Sequence, residues 1–309
     1  MPQALIAAIE VFIGRCNILA LYCADRTRRK RPLSQAWTGI IGNNVQVTSA
    51  SELLAQARIN HKRLPALPEA IRPKTPSDAY AVQDGLIDRL IAHYGGSVIG
   101  SKIACTNVTA QRQLSVDSPF AGRLLSAFFF ESSPGRPARI DASKFFMRVV
   151  EAEFAFEMAQ DLPPTSAPRS RQEIAAAVKG VIPGIEIVDS RFDDWLTIGA
   201  PSLIADNACN AAWVRGSVLT EWESIDLAAQ AVRVTVNGKL LREGSGRNVL
   251  GHPMNALEWL ANNLSARGLG LKAGQYITTG VTTEVYMAER GDRITADFGP
   301  VGSVDVEFV

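Results

Sequence analysis

The sequence predicts an α+β fold built on a largely mixed or antiparallel sheet, and three observations carry that reading. Strand-like runs outnumber helical ones and do not alternate with them, so the repeating unit of a doubly wound parallel sheet is missing. Neither a G-x-G-x-x-G fingerprint nor a P-loop occurs, which removes the common nucleotide-binding turns. The chain of 309 residues is 47% hydrophobic and 20% charged, enough to bury a sizeable core.

Composition excludes several classes of function. Lys and Arg total 32 against 31 Asp and Glu, a net charge of +1, so there is no bulk electrostatic case for nucleic acid. Cys16, Cys23, Cys105 and Cys209 are scattered and form no C-x-x-C pair, which fits a reduced, cytoplasmic compartment. The histidines are His61, His93 and His252, far apart in sequence. A metal, if present, must rest on oxygen ligands.

Residues 4–24 are apolar enough to raise a membrane segment, but Glu10 and Arg15 stand near their middle. Each charge at a helix centre costs roughly 2.5–3.5 kcal/mol on insertion, so no membrane span is expected. The basic run RTRRKR at 26–31 follows the apolar stretch, the reverse of a signal peptide. Residues 32–50 show no sustained period. Residues 1–48 are therefore expected to be a disordered extension or the product of a start placed too early, with a peripheral helix or targeting arm as the alternative.

From Pro76 the pattern becomes regular. Ser77 can cap a helix running to about Tyr94, with Val82, Leu86, Ile87, Leu90 and Ile91 as its stripe and Gly95-Gly96 as its stop. A strand-like run follows at 97–104. Ser170 and Glu173 read as a capping box opening a helix to Lys179. Asn237-Gly238 between 232–236 and 239–241 predicts a hairpin, because that pair suits a type I′ turn. Pro253, Leu257, Leu260, Leu264 and Gly268 mark a further helix. Strands are expected at 276–279, 293–298 and 304–308.

The chemistry centres on MRVVEAEFAFE at 147–157. As a strand it puts Val150, Ala152, Phe154 and Phe156 on one face and Glu151, Glu153, Ala155 and Glu157 on the other. Paired acids on an apolar strand repel one another and lose hydration, and a divalent cation between them offsets both costs. A solvent-facing charged edge is the plainer alternative. Glu186, alone among isoleucines and valines in VIPGIEIV, tilts the balance, since a buried acid needs a partner. Three carboxylates with room for water and substrate suit Mg²⁺ or Mn²⁺.

Four further segments hold candidates. Lys102 lies inside the apolar run IGSKIAC and is either a structural lysine or a cation for an anionic substrate. Asp206, Asn207 and Cys209 share the small-residue turn IADNACNAAW, as Asx-turn residues and a buried thiol or as site groups. His252 precedes the last helix, as a cap or a packing group. Thr278-Thr279-Gly280 ends a strand, where hydroxyls and N–H groups could grip a carboxylate or simply turn the chain.

In that order VEAEFAF, GIEIVDSRFDDW, ADNA, VLGHPMNALEWLA and TTG resemble the 2-keto-4-pentenoate hydratase and 4-oxalocrotonate decarboxylase group of the fumarylacetoacetate hydrolase superfamily, over roughly residues 76–309. The resemblance implies a mixed β-sandwich roll over 97–309 with a metal at its mouth, and a small helical part over 49–96. It matches Glu151, Glu153 and Glu186 to the metal ligands, Lys102 to the lysine beside the substrate and Thr279 to the substrate-binding turn. Gly280 and Asp206 join Thr279 as the expected substrate-binding set, and Asn207 and Cys209 would line the water side. A 2-keto acid substrate and a homo-oligomer are also implied.

The expected activity is metal-dependent addition of water to a short 2-hydroxydienoate, giving a 4-hydroxy-2-oxo acid. The alternatives are decarboxylation, acylpyruvate hydrolysis and a non-catalytic relative. Hydrolases of the superfamily generally use a His-Glu pair, and neither His61 nor His93 begins a His-x-x-Glu. Three departures bear on the substrate. Ala104 stands where the family has glycine, Phe120 where it has an acid, with Asp117 out of register, and Cys209 where serine is common.

Overall fold

The computed structural model describes residues 33–309, with side chains from Val45 onward. The expectations for residues 1–32, the apolar stretch and basic run included, lie outside the described residues. Helix α1 (Leu33–Ile59) runs through the stretch that showed no period. The sequence spreads its apolar residues around the helix, so no stripe announces it. Among the described residues no helix is long and apolar enough to cross a membrane.

Helix α2 (Pro76–Tyr94) is capped by Thr75 rather than Ser77. The Thr75 hydroxyl accepts the Asp78 N–H at 3.1 Å, and Pro76 takes the first turn, where a missing N–H costs nothing. Strand β1 (Val98–Ala104), helix α3 (Val108–Gln113) and strands β2 (Phe120–Leu125), β3 (Phe129–Glu131) and β4 (Ala138–Ile140) follow. Strand β5 (Val149–Met158) precedes helix α4 (Arg171–Ala175), whose Ser170–Glu173 capping box forms as expected. That helix stops short of Lys179, because the chain enters strand β6 (Val178–Val188) at once. Helix α5 (Ala200–Ala205) leads to strand β7 (Asn210–Arg215). The hairpin of β8 (Ala231–Val236) and β9 (Lys239–Ser245) turns at Asn237-Gly238, with positive φ at both. Helix α6 (Pro253–Ala266) and strands β10 (Tyr276–Val281), β11 (Tyr286–Met287), β12 (Arg293–Asp297) and β13 (Ser303–Phe308) complete the chain.

The strands form two mixed sheets, so the fold is α+β, as expected. The larger runs β2-β1-β10-β5-β6-β7-β3, with β11 paired to β5. The smaller runs β4-β13-β12-β8-β9. Phe154, Phe156, Ile185, Ile187 and Val214 of the large sheet share a core with Val234, Ile294, Val306 and Phe308 of the small one. Leu257, Leu260 and Leu264 of α6 join that core. The opposite face is covered differently along its length. Leu54 of α1 and Leu86 and Leu90 of α2 share a second cluster with Phe120, Val149, Val188 and Leu203. Residues Val45–Val309 pack as one compact unit. The period-2 alternation of β5 therefore decides the site, since filling the core with Val150, Ala152, Phe154 and Phe156 forces its glutamates to the other face.

Candidate metal centre

Strand pairing assembles the site from three elements. Glu151 on β5 and Glu186 on β6 are antiparallel register partners, and Glu153 stands two residues along on the same face as Glu151. One oxygen from each of the three lies within 4.8 Å of the others. Glu153 and Glu186 are fully buried, and Glu151 is partly so. Lys102 reaches the cluster from β1, its Nζ 3.2 Å from Glu186 Oε1.

Two polar contacts complete the carboxylate shell. The β10–β5 register shifts between Thr278 and Val281, and the Gly280 N–H donates to Glu153 Oε2 at 2.9 Å. Gly280 has φ +104°, and a Cβ there would meet Thr106 Oγ1 at 1.8 Å, so glycine is required. Asn210 Nδ2 donates to Glu186 Oε1 at 2.9 Å. The other oxygens, Glu153 Oε1 and Glu186 Oε2, are buried without a hydrogen-bond partner. Buried orphan acceptors of this kind are rare and call for an explanation.

The electrostatics agree. Burial pushes the Glu151 carboxyl up to about 7, with Lys102 opposing and Glu186 adding to the rise. Burial, then the Glu186 and Glu151 charges, hold Glu153 well above the ordinary range. Burial alone would pull Lys102 down, but Glu186, Glu151 and Glu153 outweigh it and hold the ammonium above its usual value. Three acids and one internal cation leave an excess of negative charge that a divalent ion would neutralise. Oxygen donors, two of them otherwise orphaned, fit a hard cation.

The other expected site residues divide. Asp206 is 1% exposed and spends both oxygens on Arg191, with Oδ1 2.9 Å from Nε and Oδ2 accepting the Arg191 N–H at 2.9 Å. Arg191 also donates to the Asp189 carbonyl. Asn207 bonds the β2 backbone at both ends, accepting from Arg123 N at 2.6 Å and donating to Arg123 O at 2.9 Å. Asp206 and Asn207 thus anchor the turn and leave little for a ligand. That turn is strained, with Asn207, Ala208 and Cys209 all at positive φ. Cys209 is buried close enough for Lys102 to act on its thiol, which burial and then Asp206 push up to about 12.

Thr279 donates its hydroxyl to the Phe154 carbonyl at 2.8 Å, on the core side of β10. Its neighbour Thr278 pairs with Lys102 across the β1–β10 ladder and holds a buried hydroxyl with no partner. Of the two threonines it is Thr278 that shares the face of Lys102. His252 caps α6, its Nδ1 accepting the Met254 N–H at 3.0 Å. Glu157 pairs with Lys179 at 2.8 Å, apart from the three-carboxylate group. Phe120 pairs with Ala104 in the β1–β2 ladder and is buried in the apolar cluster under the helices.

Asn210 and Arg191 are the groups that sequence reasoning missed. It named Thr278 only together with Thr279 and Gly280, and of the two threonines it carried Thr279 alone into the expected substrate-binding set. Asn210 and Thr278 stood inside the quoted motifs, but only register shows which of several adjacent polar residues faces the glutamates.

Comparison with known proteins shows the family. The fumarylacetoacetate (FAA) hydrolase C-terminal family model matches residues 128–309. A 2-keto-4-pentenoate hydratase of Paraburkholderia xenovorans is 35% identical over 85% of this chain and 95% of its own. A 4-oxalocrotonate decarboxylase of Pseudomonas putida is 31% identical over 86% of this chain and 98% of its own. The solved 4-oxalocrotonate decarboxylase of Pseudomonas putida G7, complexed with magnesium and adipate, superposes with a TM-score of 0.78 at 29% identity, covering 86% of this chain and 98% of that one. The chain therefore belongs to the fumarylacetoacetate hydrolase superfamily, in the group that holds 2-keto-4-pentenoate hydratases and 4-oxalocrotonate decarboxylases.

Proposed function

We propose that this chain is a divalent-metal-dependent hydro-lyase that adds water to a short 2-hydroxydienoate. The observation that carries the reading is the group Glu151, Glu153 and Glu186 beside Lys102, with Glu153 Oε1 and Glu186 Oε2 buried and unbonded. The identity to a named hydratase supports the choice of reaction, and the magnesium complex of the similar decarboxylase supports the cation. Mg²⁺ or Mn²⁺ is the expected ion, held by the three glutamates.

Held by Glu151, Glu153 and Glu186, the ion would supply a Lewis acid to polarise the 2-hydroxy acid end of the substrate. The protein's groups do the rest. The elements of water are added overall: the 2-hydroxyl proton is lost, C5 gains a proton, hydroxide adds at C4 and C3 takes the last proton. Lys102 remains protonated and balances negative charge beside the substrate carboxylate. Thr278 Oγ1 offers a free hydroxyl on the same face. Cys209, held as a thiol, acts as a weak donor toward the reacting water and not as a nucleophile. The enzyme works in the cytoplasm as a homo-oligomer.

The test is loss of 2-hydroxypenta-2,4-dienoate absorbance by full-length protein, stripped with chelator and resupplied with Mg²⁺ or Mn²⁺. Metal-dependent gain of one water, read by mass, is expected. Release of CO₂ from 4-oxalocrotonate with no hydration would replace this reading with the decarboxylase.

A further inference from the structure

Glu186 is held asymmetrically. Its Oε1 accepts from Asn210 Nδ2 at 2.9 Å and faces Lys102 Nζ at 3.2 Å, whereas its Oε2 has no partner. Asn210 reaches it through a defect in the sheet. In the β6–β7 ladder Ile187 opposes Ala212 and Val188 opposes Asn210, so Ala211 is an extra residue. Such a bulge bends the strand, re-aims a side chain and leaves carbonyls outside the ladder.

Those carbonyls are claimed by one group. Arg58, near the end of α1, donates Nη1 to Asn210 O at 2.8 Å and Nη2 to Ala211 O at 2.9 Å. The guanidinium also lies over the Phe128 ring, 4.4 Å from its centroid. A planar fork reaches two adjacent carbonyls in a way that an ammonium cannot. Asn210 is 2% exposed, and its amide is committed to Glu186.

We infer that Asn210 is a positioning residue, locked by the Arg58 fork, that ties up Glu186 Oε1 so that Glu186 offers a metal only Oε2. The inference rests on the metal reading above. One-oxygen carboxylate contacts suit a small octahedral ion, whereas Ca²⁺ accepts two-oxygen contacts and more ligands. Asn210 therefore sets both the affinity of the site and its preference for Mg²⁺ or Mn²⁺ over Ca²⁺.

The experiment titrates chelator-stripped full-length protein with Mn²⁺, reading free aqueous Mn²⁺ by electron paramagnetic resonance, then displaces it with Ca²⁺. Asn210→Ala is expected to weaken Mn²⁺ roughly ten-fold, within the range for groups that orient metal ligands. Ca²⁺ should lose less, so the Mn²⁺/Ca²⁺ preference falls. Arg58→Lys touches no carboxylate and should shift the preference in the same direction by a smaller factor. A purely structural role would lower the thermal midpoint and leave the preference unchanged. Folded Asn210→Ala with wild-type Mn²⁺ and Ca²⁺ affinities overturns the inference while sparing the metal reading. Should Asn210→Ala not fold, Arg58→Lys decides, an unchanged preference overturning the proposal and a lowered one supporting it. Wild-type protein that binds no Mn²⁺ would sink both.

Discussion

Glu151 and Glu186 face each other as register partners across the β5–β6 ladder, so two acids meet where an antiparallel sheet normally pairs apolar or opposite charges. Like charges in that position destabilise a sheet unless something binds between them. Glu151→Gln should therefore raise the thermal midpoint of the chelated protein by a few degrees. It should also abolish most of the stabilisation by Mn²⁺, which for wild type at 100 times Kd amounts to about 2.7 kcal/mol. Differential scanning calorimetry with and without Mn²⁺ checks both signs. A chelated variant less stable than wild type would show that the acids do not strain the metal-free site.

Lys102 is the cation that faces Glu186 from β1, buried to 2% exposure. Lys102→Met keeps its apolar stem and removes the charge. Turnover should fall by roughly 10²–10⁴-fold, the range for a positioned acid-base or charge-stabilising group. Mn²⁺ binding should persist, because the three carboxylates remain. A variant that retained full kcat would remove Lys102 from the chemistry.

Asp206 belongs to the framework by its contacts, both oxygens being taken by Arg191. Asp206→Ala would leave Arg191 buried beside Asp189 alone, and breaking one side of a buried pair costs about 3–5 kcal/mol. Urea unfolding should register that loss. A variant of normal stability with a raised KM would instead return Asp206 to the substrate.

Gly280→Ala should be among the most damaging small substitutions. The added Cβ meets Thr106 at a backbone angle that L residues avoid, and relief would pull the N–H away from Glu153. A loss of about 2 kcal/mol or more is expected in urea unfolding, with weakened Mn²⁺ binding. A merely local adjustment would leave both unchanged.

Asp292 ties the β8–β9 hairpin to β12. Its carboxylate accepts from Asn237 Nδ2, Tyr286 Oη and Glu289 N, each at 2.8 Å. Burial works to raise its pKa, but hydrogen bonds from the Glu289 backbone N–H, the Tyr286 hydroxyl and the Asn237 side-chain amide outweigh it and hold the carboxyl below the ordinary range. The folded value is thus lower than the unfolded one, near 3.9. The resulting stability is present above about pH 4 and is lost as pH falls through the folded value. Asp292→Asn should cost about 1–3 kcal/mol at pH 7 and progressively less toward pH 3. A cost independent of pH would show that the charge is immaterial.

What the sequence determined by itself was whatever repeats locally. The alternation of β5 told which residues enter the core and therefore that Glu151 and Glu153 share the other face. The Asn237-Gly238 turn and the stripes of α2 and α6 were legible for the same reason, being set by neighbours within a few residues. Helix α1 was not, because its apolar residues form no stripe, and Thr75 was missed because Ser77 is an equally competent cap. Tertiary structure decided what depends on register. It opposed Glu186 to Glu151, put Thr278 and not Thr279 on the face of Lys102, and used one extra residue, Ala211, to aim Asn210 at Glu186. A shift of one residue in a strand reverses every side chain, and a bulge does so at one point only. That choice is made by packing and hydrogen bonds between segments more than a hundred residues apart, such as Arg58 on Asn210, and no local pattern carries it.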